Sequence, residues 1–145
     1  MRLPVVDVTT EPEAEEFSCP GSVLRAIAAE GHLTTAGLPA SLAVFFSWGS
    51  SAWRPMTDDE RTETGLDDDR TVETLLRYAP TRVLLSGWIQ EPQIIEDHGA
   101  WLRARHGKGT AHLFAFRPQF RGWAQGTFHL LFRAIFLNEP GDEDA

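Results

Sequence analysis

The 145-residue chain lacks most of the features that announce a function. It has one cysteine, Cys19, which excludes an internal disulfide framework and a cysteine-rich zinc knuckle and leaves the redox compartment open. No stretch reaches the roughly 20 apolar residues of a membrane span. The opening "MRLPVVDVTTEPEAEE" has no apolar core of the length a secretory signal needs. The chain is therefore expected to be soluble, without a membrane span, and its compartment is not fixed. Positive charge is also in deficit, with 13 Lys and Arg against 21 Asp and Glu and a net charge of −8. A field of that sign repels phosphate backbones and anionic lipid, so nucleic acid is not an expected partner. No internal repeat is present.

The usual catalytic patterns are missing too. A phosphate loop needs a lysine followed by Ser or Thr, and Lys108 is followed by Gly109. "KGTAHLFAF" echoes an RNA-recognition strand, but Thr110 stands where a stacking ring belongs. None of His32, His98, His106, His112 or His129 has a glutamate three residues later, as a zinc-binding helix would require. Glu96, Asp97 and His98 are consecutive, which suits a solvated turn better than convergence on one ion. The run Asp67, Asp68, Asp69 lacks the alternate spacing of a calcium loop. Cys19 has Phe17 ahead of it and Pro20 behind, so it does not fit a nucleophile elbow and reads as a small buried side chain. No catalytic residue, cofactor site or metal site is assigned.

Apolar segments supply the architecture. Residues 22–29 and 42–48 read as strands, the latter rich in β-favouring side chains. "TLLRYAP" and "RVLLSGWI" read as two short strands, and "AWLRARHGKGTAHLFAF" as a hairpin. In that hairpin Leu102 and Ala104 alternate with Arg103 and Arg105, which predicts a half-exposed first strand. The second carries apolar residues on both faces and is expected to be central. Residues 57–73 have almost no apolar side chains and are expected to form an acidic loop. Phe128, Leu131, Phe132, Ile135 and Phe136 recur at helical spacing and predict a C-terminal amphipathic helix. Thr127 is its expected N-cap, and Asn138 with Pro140 its stop. The division expected is a single α/β domain over residues 1–138 and a mobile acidic tail over 139–145.

One stretch is a candidate ligand or interaction surface. In "RPQFRGWAQGTF", Arg117 and Arg121 flank Phe120 and Trp123, with Gln125 next, just past the end of the expected central strand. In open α/β sheets ligands bind at that end. The alternative reading, which the sequence favours, is that the rings close the core while the arginines pair with carboxylates of the acidic loop.

"PGSVLRA", "GLPASLAVFFSWGSSAW", "VLLSGWI" and "GKGTAHLFAFRPQFRGWAQGTFHLLFRAIF" together resemble the C-terminal module of bacterial zinc carboxypeptidases of the carboxypeptidase A type, over about residues 17–138. The resemblance implies an α/β fold, part of a flavodoxin-like or class I glutamine-amidotransferase-like sheet, cut from the later part of a larger domain. It places the zinc and its ligands in an upstream catalytic domain, so no cofactor is implied for this chain. It also implies a non-catalytic accessory or interaction module whose partner is an upstream peptidase domain or another protein surface covering the sheet, exported if the parent enzyme is secreted. The alternative is a small ligand-binding protein or enzyme that holds an anionic small molecule in an arginine-lined pocket.

Overall fold

The computed structural model describes residues 2–66, 70–106, 108–122 and 125–137. Among these, eight strands build one sheet: β1 (Val5–Asp7), β2 (Gly21–Ala28), β3 (Ser41–Ser47), β4 (Trp53–Pro55), β5 (Val72–Tyr78), β6 (Leu84–Ser86), β7 (Gly99–His106) and β8 (Gly109–Phe114). Helix α1 (Asp58–Thr64) lies between β4 and β5, and α2 (Phe128–Phe136) follows β8. The strands run in the order β1-β4-β7-β5-β2-β3, with β6 beside β2 and β8 beside β7.

Every pairing is antiparallel. That corrects the flavodoxin-like expectation, and the amidotransferase-like sheet with it, because such a sheet is parallel and needs a helical crossover between paired strands. The mixed α/β class and the C-terminal helix stand.

Register explains where the core lies. Ala26, Leu24 and Ser22 of β2 stand opposite Leu42, Val44 and Phe46 of β3, and all six are buried. Alternate residues of both strands therefore face one interior. Tyr78 of β5 pairs with Ala26, tilts against Phe46 at 5.9 Å and donates its hydroxyl to the Ser51 carbonyl at 3.0 Å. Burial pushes that phenol well above its ordinary value, so it stays a neutral donor.

β7 is enclosed on both edges, by β5 on one side and by β4 and β8 on the other. Its residues are buried from Gly99 through Ala104. Only glycine fits at 99, where a Cβ would sit 2.9 Å from the Trp53 carbonyl oxygen. The expected roles within the hairpin are thus reversed. β7 is the central strand, while β8 pairs with β7 alone and its apolar side chains are half-buried. Alternation misled because Arg103, the residue that argued for solvent, finds a carboxylate inside the sheet.

Residues 57–73 are not wholly a loop, since they contain α1, a helix without a single buried residue. Local chemistry orders it in place of burial. The Thr57 hydroxyl accepts from the Glu60 amide at 3.3 Å and Glu60 Oε2 accepts from the Thr57 amide at 2.8 Å, a capping box. Gly65 closes the helix at φ 65°. Arg54 of β4 then grips Glu60 through two bonds of 2.8 Å and Glu11 through a third. Asp67, Asp68 and Asp69 lie outside the described residues.

The Arg54 guanidinium, followed by the Thr57 amide, holds the Glu60 carboxyl at about 2, below the usual 4.5. A depressed carboxyl stabilises the fold fully above its unfolded value, and that contribution fades as pH falls through the folded one. The side-chain carboxyl carbon of Glu60 should therefore titrate near pH 2 by NMR, with α1 amide protection declining between about 4.5 and 2. A midpoint at the ordinary glutamate value would contradict the fork.

The terminal helix forms where expected, but its face is turned. Leu130 is fully buried and Ala134 packs on the core. The side chains expected to point inward, Phe128, Phe132, Ile135 and Phe136, are exposed. Thr127 stands at the expected N-cap position but makes no side-chain capping bond; its hydroxyl donates to the Pro118 carbonyl at 2.6 Å. Arg133 donates to the carbonyls of Thr34 and Ala36 at 3.1 and 2.9 Å, tying the far end of α2 to the β2–β3 connection. Those bonds, together with Leu130, select the docked face against the larger apolar stripe. Asn138, Pro140 and the acidic tail lie outside the described residues.

Candidate functional site

Beyond β8 the chain leaves the sheet through Ala115 and Phe116, both buried. A single 3₁₀ turn follows, Phe120–Gly122, in which Arg121 takes a left-handed φ of 46°. A non-glycine residue there costs about 1 kcal/mol or more, so the surroundings must hold it. Phe120 supplies the anchor by stacking on Phe45 of β3, with ring centroids 4.7 Å apart and planes 13° from parallel. The guanidinium carbons of Arg117 and Arg121 then lie 5.8 and 5.4 Å from the Phe120 centroid. Two cations share one ring. Arg117 Nη2 also donates to the carbonyl of Trp48 at 3.0 Å, and Trp48 is largely exposed.

The structure thus unites Arg117, Phe120 and Arg121 and adds Trp48, which the sequence reading did not single out. Gln125 is exposed in the next 3₁₀ turn, and no hydrogen bond joins it to the arginines. Trp123 lies outside the described residues. Half of the packing alternative holds, since Phe120 does close over Phe45. The other half fails, because among the described residues neither Arg117 nor Arg121 pairs with a carboxylate. The acidic segment spends Glu60 on Arg54 instead. Ligand binding at strand C-termini belongs to parallel sheets, and β8 is antiparallel to its neighbour, so its end is not such a position.

A second cluster appeared in no motif. Glu73 of β5 stands opposite Arg103 of β7, which stands opposite His112 of β8, so register lays three polar side chains in one row. Arg103 is buried; its Nη1 lies 3.3 Å from Glu73 Oε2 and 3.1 Å from His32 Nε2. His32 Nδ1 accepts from the Thr34 amide at 3.1 Å, which places the ring proton on Nε2, 3.4 Å from Glu73 Oε2. Both nitrogens of His32 are therefore committed, and a general base needs one free to face a substrate. His112 Nδ1 likewise accepts from the Trp101 indole at 3.2 Å. The row locks the β2–β3 connection onto the sheet and offers no acid–base pair. Of these side chains only His32 also lines a cleft of about 700 Å³, formed by residues between Ile27 and Ala40.

The lone cysteine sits in a smaller cavity of about 160 Å³ beside Phe17, Ser47 and Trp48. Burial pushes the Cys19 thiol up, against a smaller opposing effect of a hydrogen bond with Ser22. A raised thiol is protonated near neutral pH and is a poor nucleophile, which matches the sequence reading of Cys19. Asp97 of the Glu96–His98 turn pairs with Arg77. Among the described residues no three His, Cys, Asp or Glu side chains gather where they could hold a metal ion. No helix among them is long and apolar enough to cross a membrane.

Comparison of the chain with protein families, curated proteins and solved structures finds no match. Function must therefore be argued from the site itself.

Proposed function

We propose that the chain is a non-catalytic interaction module, the role that its sequence resemblance to the C-terminal region of bacterial zinc carboxypeptidases would imply. Its Arg117–Phe120–Arg121 surface, with Trp48 beside it, receives a carboxylate-bearing surface of a partner protein. One observation carries the reading: two guanidiniums are braced on one ring with no carboxylate beside them among the described residues, in a chain with eight more acidic than basic residues. Stray arginines on such a surface would find acids easily. Bracing also lowers the ordering cost that flexible arginines impose on binding. Arginine and aromatic side chains are the types that dominate protein interfaces.

An aspartate- and glutamate-rich peptide, titrated by calorimetry into dilute protein, should bind where a lysine-rich peptide does not. Arg121→Ala or Arg117→Ala should each weaken that binding by about tenfold, and added salt should weaken it further. Equal affinity for both peptides, or an Arg117→Ala/Arg121→Ala double variant that binds like the parent, would sink the proposal. A thermal stabilisation by small carboxylates or phosphate, lost in Arg121→Ala, would favour the small-ligand alternative instead.

A further inference from the structure

At the end of β3 the chain reverses through residues 47–50. The Ser50 amide donates to the Ser47 carbonyl at 2.8 Å, and the Ser47 amide donates to the Ser50 hydroxyl at 3.1 Å. Gly49 takes a φ of 77° while Trp48 before it does not turn positive. Positive φ at the third position alone is the mark of a type II turn, and glycine admits it without strain. The turn holds Trp48 at its tip, 77% exposed, and leaves the Trp48 carbonyl to Arg117.

The turn is a ridge between two different surroundings. Phe45 and Phe46 are consecutive on β3, so their rings leave opposite faces of the sheet. Phe45 stacks on Phe120, over which the two arginines lie. Phe46 meets Phe17 edge-on at 5.9 Å and lines the cavity of about 160 Å³ that also takes in Cys19, Pro20 and the turn itself. Trp48 and Gly49 thus wall the cavity, while Arg117 Nη2 lies 3.0 Å from the Trp48 carbonyl oxygen.

Size and charge define what the cavity takes. An apolar cavity of about 150 Å³ accepts benzene, so there is room here for a side chain of about four to seven carbons and not for an indole. No charged residue lines it among the described residues, and the Cys19 thiol, pushed up by burial, stays protonated near neutral pH. A charged side chain would lose its hydration there and find no counter-charge. Two of the hydroxyls beside it are engaged locally, Thr9 with Asp7 and Ser50 with the Ser47 amide.

We infer that this cavity is the specificity pocket of the arginine surface: the partner's segment seats an uncharged aliphatic or phenyl side chain in it, within three residues of the carboxylate that Arg117 and Arg121 receive. Three extended residues span about 10 Å, which is enough to pass over one turn. The inference rests on the functional reading above for the carboxylate contacts, and the side-chain preference is its own claim. Tryptophan and arginine, the residues that stand at the ridge, are the types most enriched among interface hot spots.

Calorimetry tests it with three end-blocked peptides of equal charge, each carrying aspartates and glutamates on both flanks and leucine, glycine or tryptophan at the centre. The leucine peptide should bind about tenfold tighter than the glycine peptide, and the tryptophan peptide should gain much less. Trp48→Ala removes a wall of the cavity and should shrink the leucine-to-glycine ratio to about twofold or less. In the parent protein, nuclear Overhauser effects from the leucine methyls of the peptide to the Phe17 ring should place the side chain in the cavity without any substitution.

Equal affinity for the leucine and glycine peptides, a ratio that survives Trp48→Ala, or leucine methyls with no contact to Phe17 overturns the inference. A gain as large for tryptophan as for leucine overturns it too, because it would mean contact on an open surface. A glycine peptide that binds the parent and is lost in the Arg117→Ala/Arg121→Ala double variant keeps the arginine reading when the pocket fails. If no peptide binds, both fall.

Discussion

Trp101→Ala will lower the unfolding free energy by about 3 to 5 kcal/mol, the cost typical of deleting a large buried aromatic. Trp101 is fully buried in the strand enclosed on both edges. Its ring stacks on Phe114 at 4.9 Å and 18°, which is how the edge strand β8 is held to the core. Its indole also donates to His112 Nδ1, so truncation leaves a cavity and a half-buried acceptor without that donor. Domains of this size have about 5 to 15 kcal/mol in total, and the variant will sit near the threshold of folding at 37 °C. Trp101→Phe keeps most of the packing and loses the hydrogen bond, so it should cost about 1 to 3 kcal/mol. Urea denaturation followed by circular dichroism separates the two. A loss below about 1 kcal/mol for the alanine variant would mean that β7 is not the centre of the sheet.

The sequence disclosed those parts of the fold that depend on local pattern. β2, β3, β5 and the β7–β8 hairpin come from runs of β-branched and aromatic residues, and α2 from spacing. What went astray depended on long-range pairing. Nothing near Arg103 in sequence reports that Glu73 lies opposite it or that His32 reaches it from another loop, so alternation predicted a half-exposed β7. The same blindness put the aromatic stripe of α2 inside, because spacing shows that a helix has an apolar face without showing which face the protein uses. Strand direction is also invisible to patterning, so nothing in the residues opposed the parallel sheet that the family resemblance implied, whereas the strands pair antiparallel and α2 follows an edge strand.

α1 is a different kind of miss, since its signal was present. Thr57 followed three residues later by Glu60, with Gly65 closing, is a capping signature. The expectation of a loop rested on the lack of apolar residues alone, although a helix gripped by Arg54 needs none. For the candidate site, the segment from Arg117 to Arg121 was legible because arginines beside rings are conspicuous wherever they stand. Trp48 was not, because only the turn after β3 brings its carbonyl to Arg117.

The second large effect concerns Glu73 and Arg103, whose burial is unequal. The Arg103 side chain is 3% exposed and that of Glu73 is 49% exposed. Glu73→Gln leaves a buried guanidinium without the carboxylate that offsets its lost hydration, and should cost about 1.5 to 3 kcal/mol. Arg103→Met removes the buried charge and leaves Glu73 to water and to the Nε2 proton of His32, so it should cost about 1 kcal/mol or less. The double variant should lie within about 1 kcal/mol of the parent, giving a coupling of about 1 to 3 kcal/mol in a double-mutant cycle. The asymmetry is the decisive feature. An interaction that simply added stability would make the two single losses alike, whereas a charge whose burial is offset by a facing acid makes removal of the acid the worse injury. Urea midpoints for the four proteins measure it, and a greater loss for Arg103→Met than for Glu73→Gln would show that the guanidinium contributes more than its burial costs. Slower hydrogen exchange at Thr34 and Thr35 in the parent than in Glu73→Gln would add that the same row fastens the β2–β3 connection, the seat on which α2 rests.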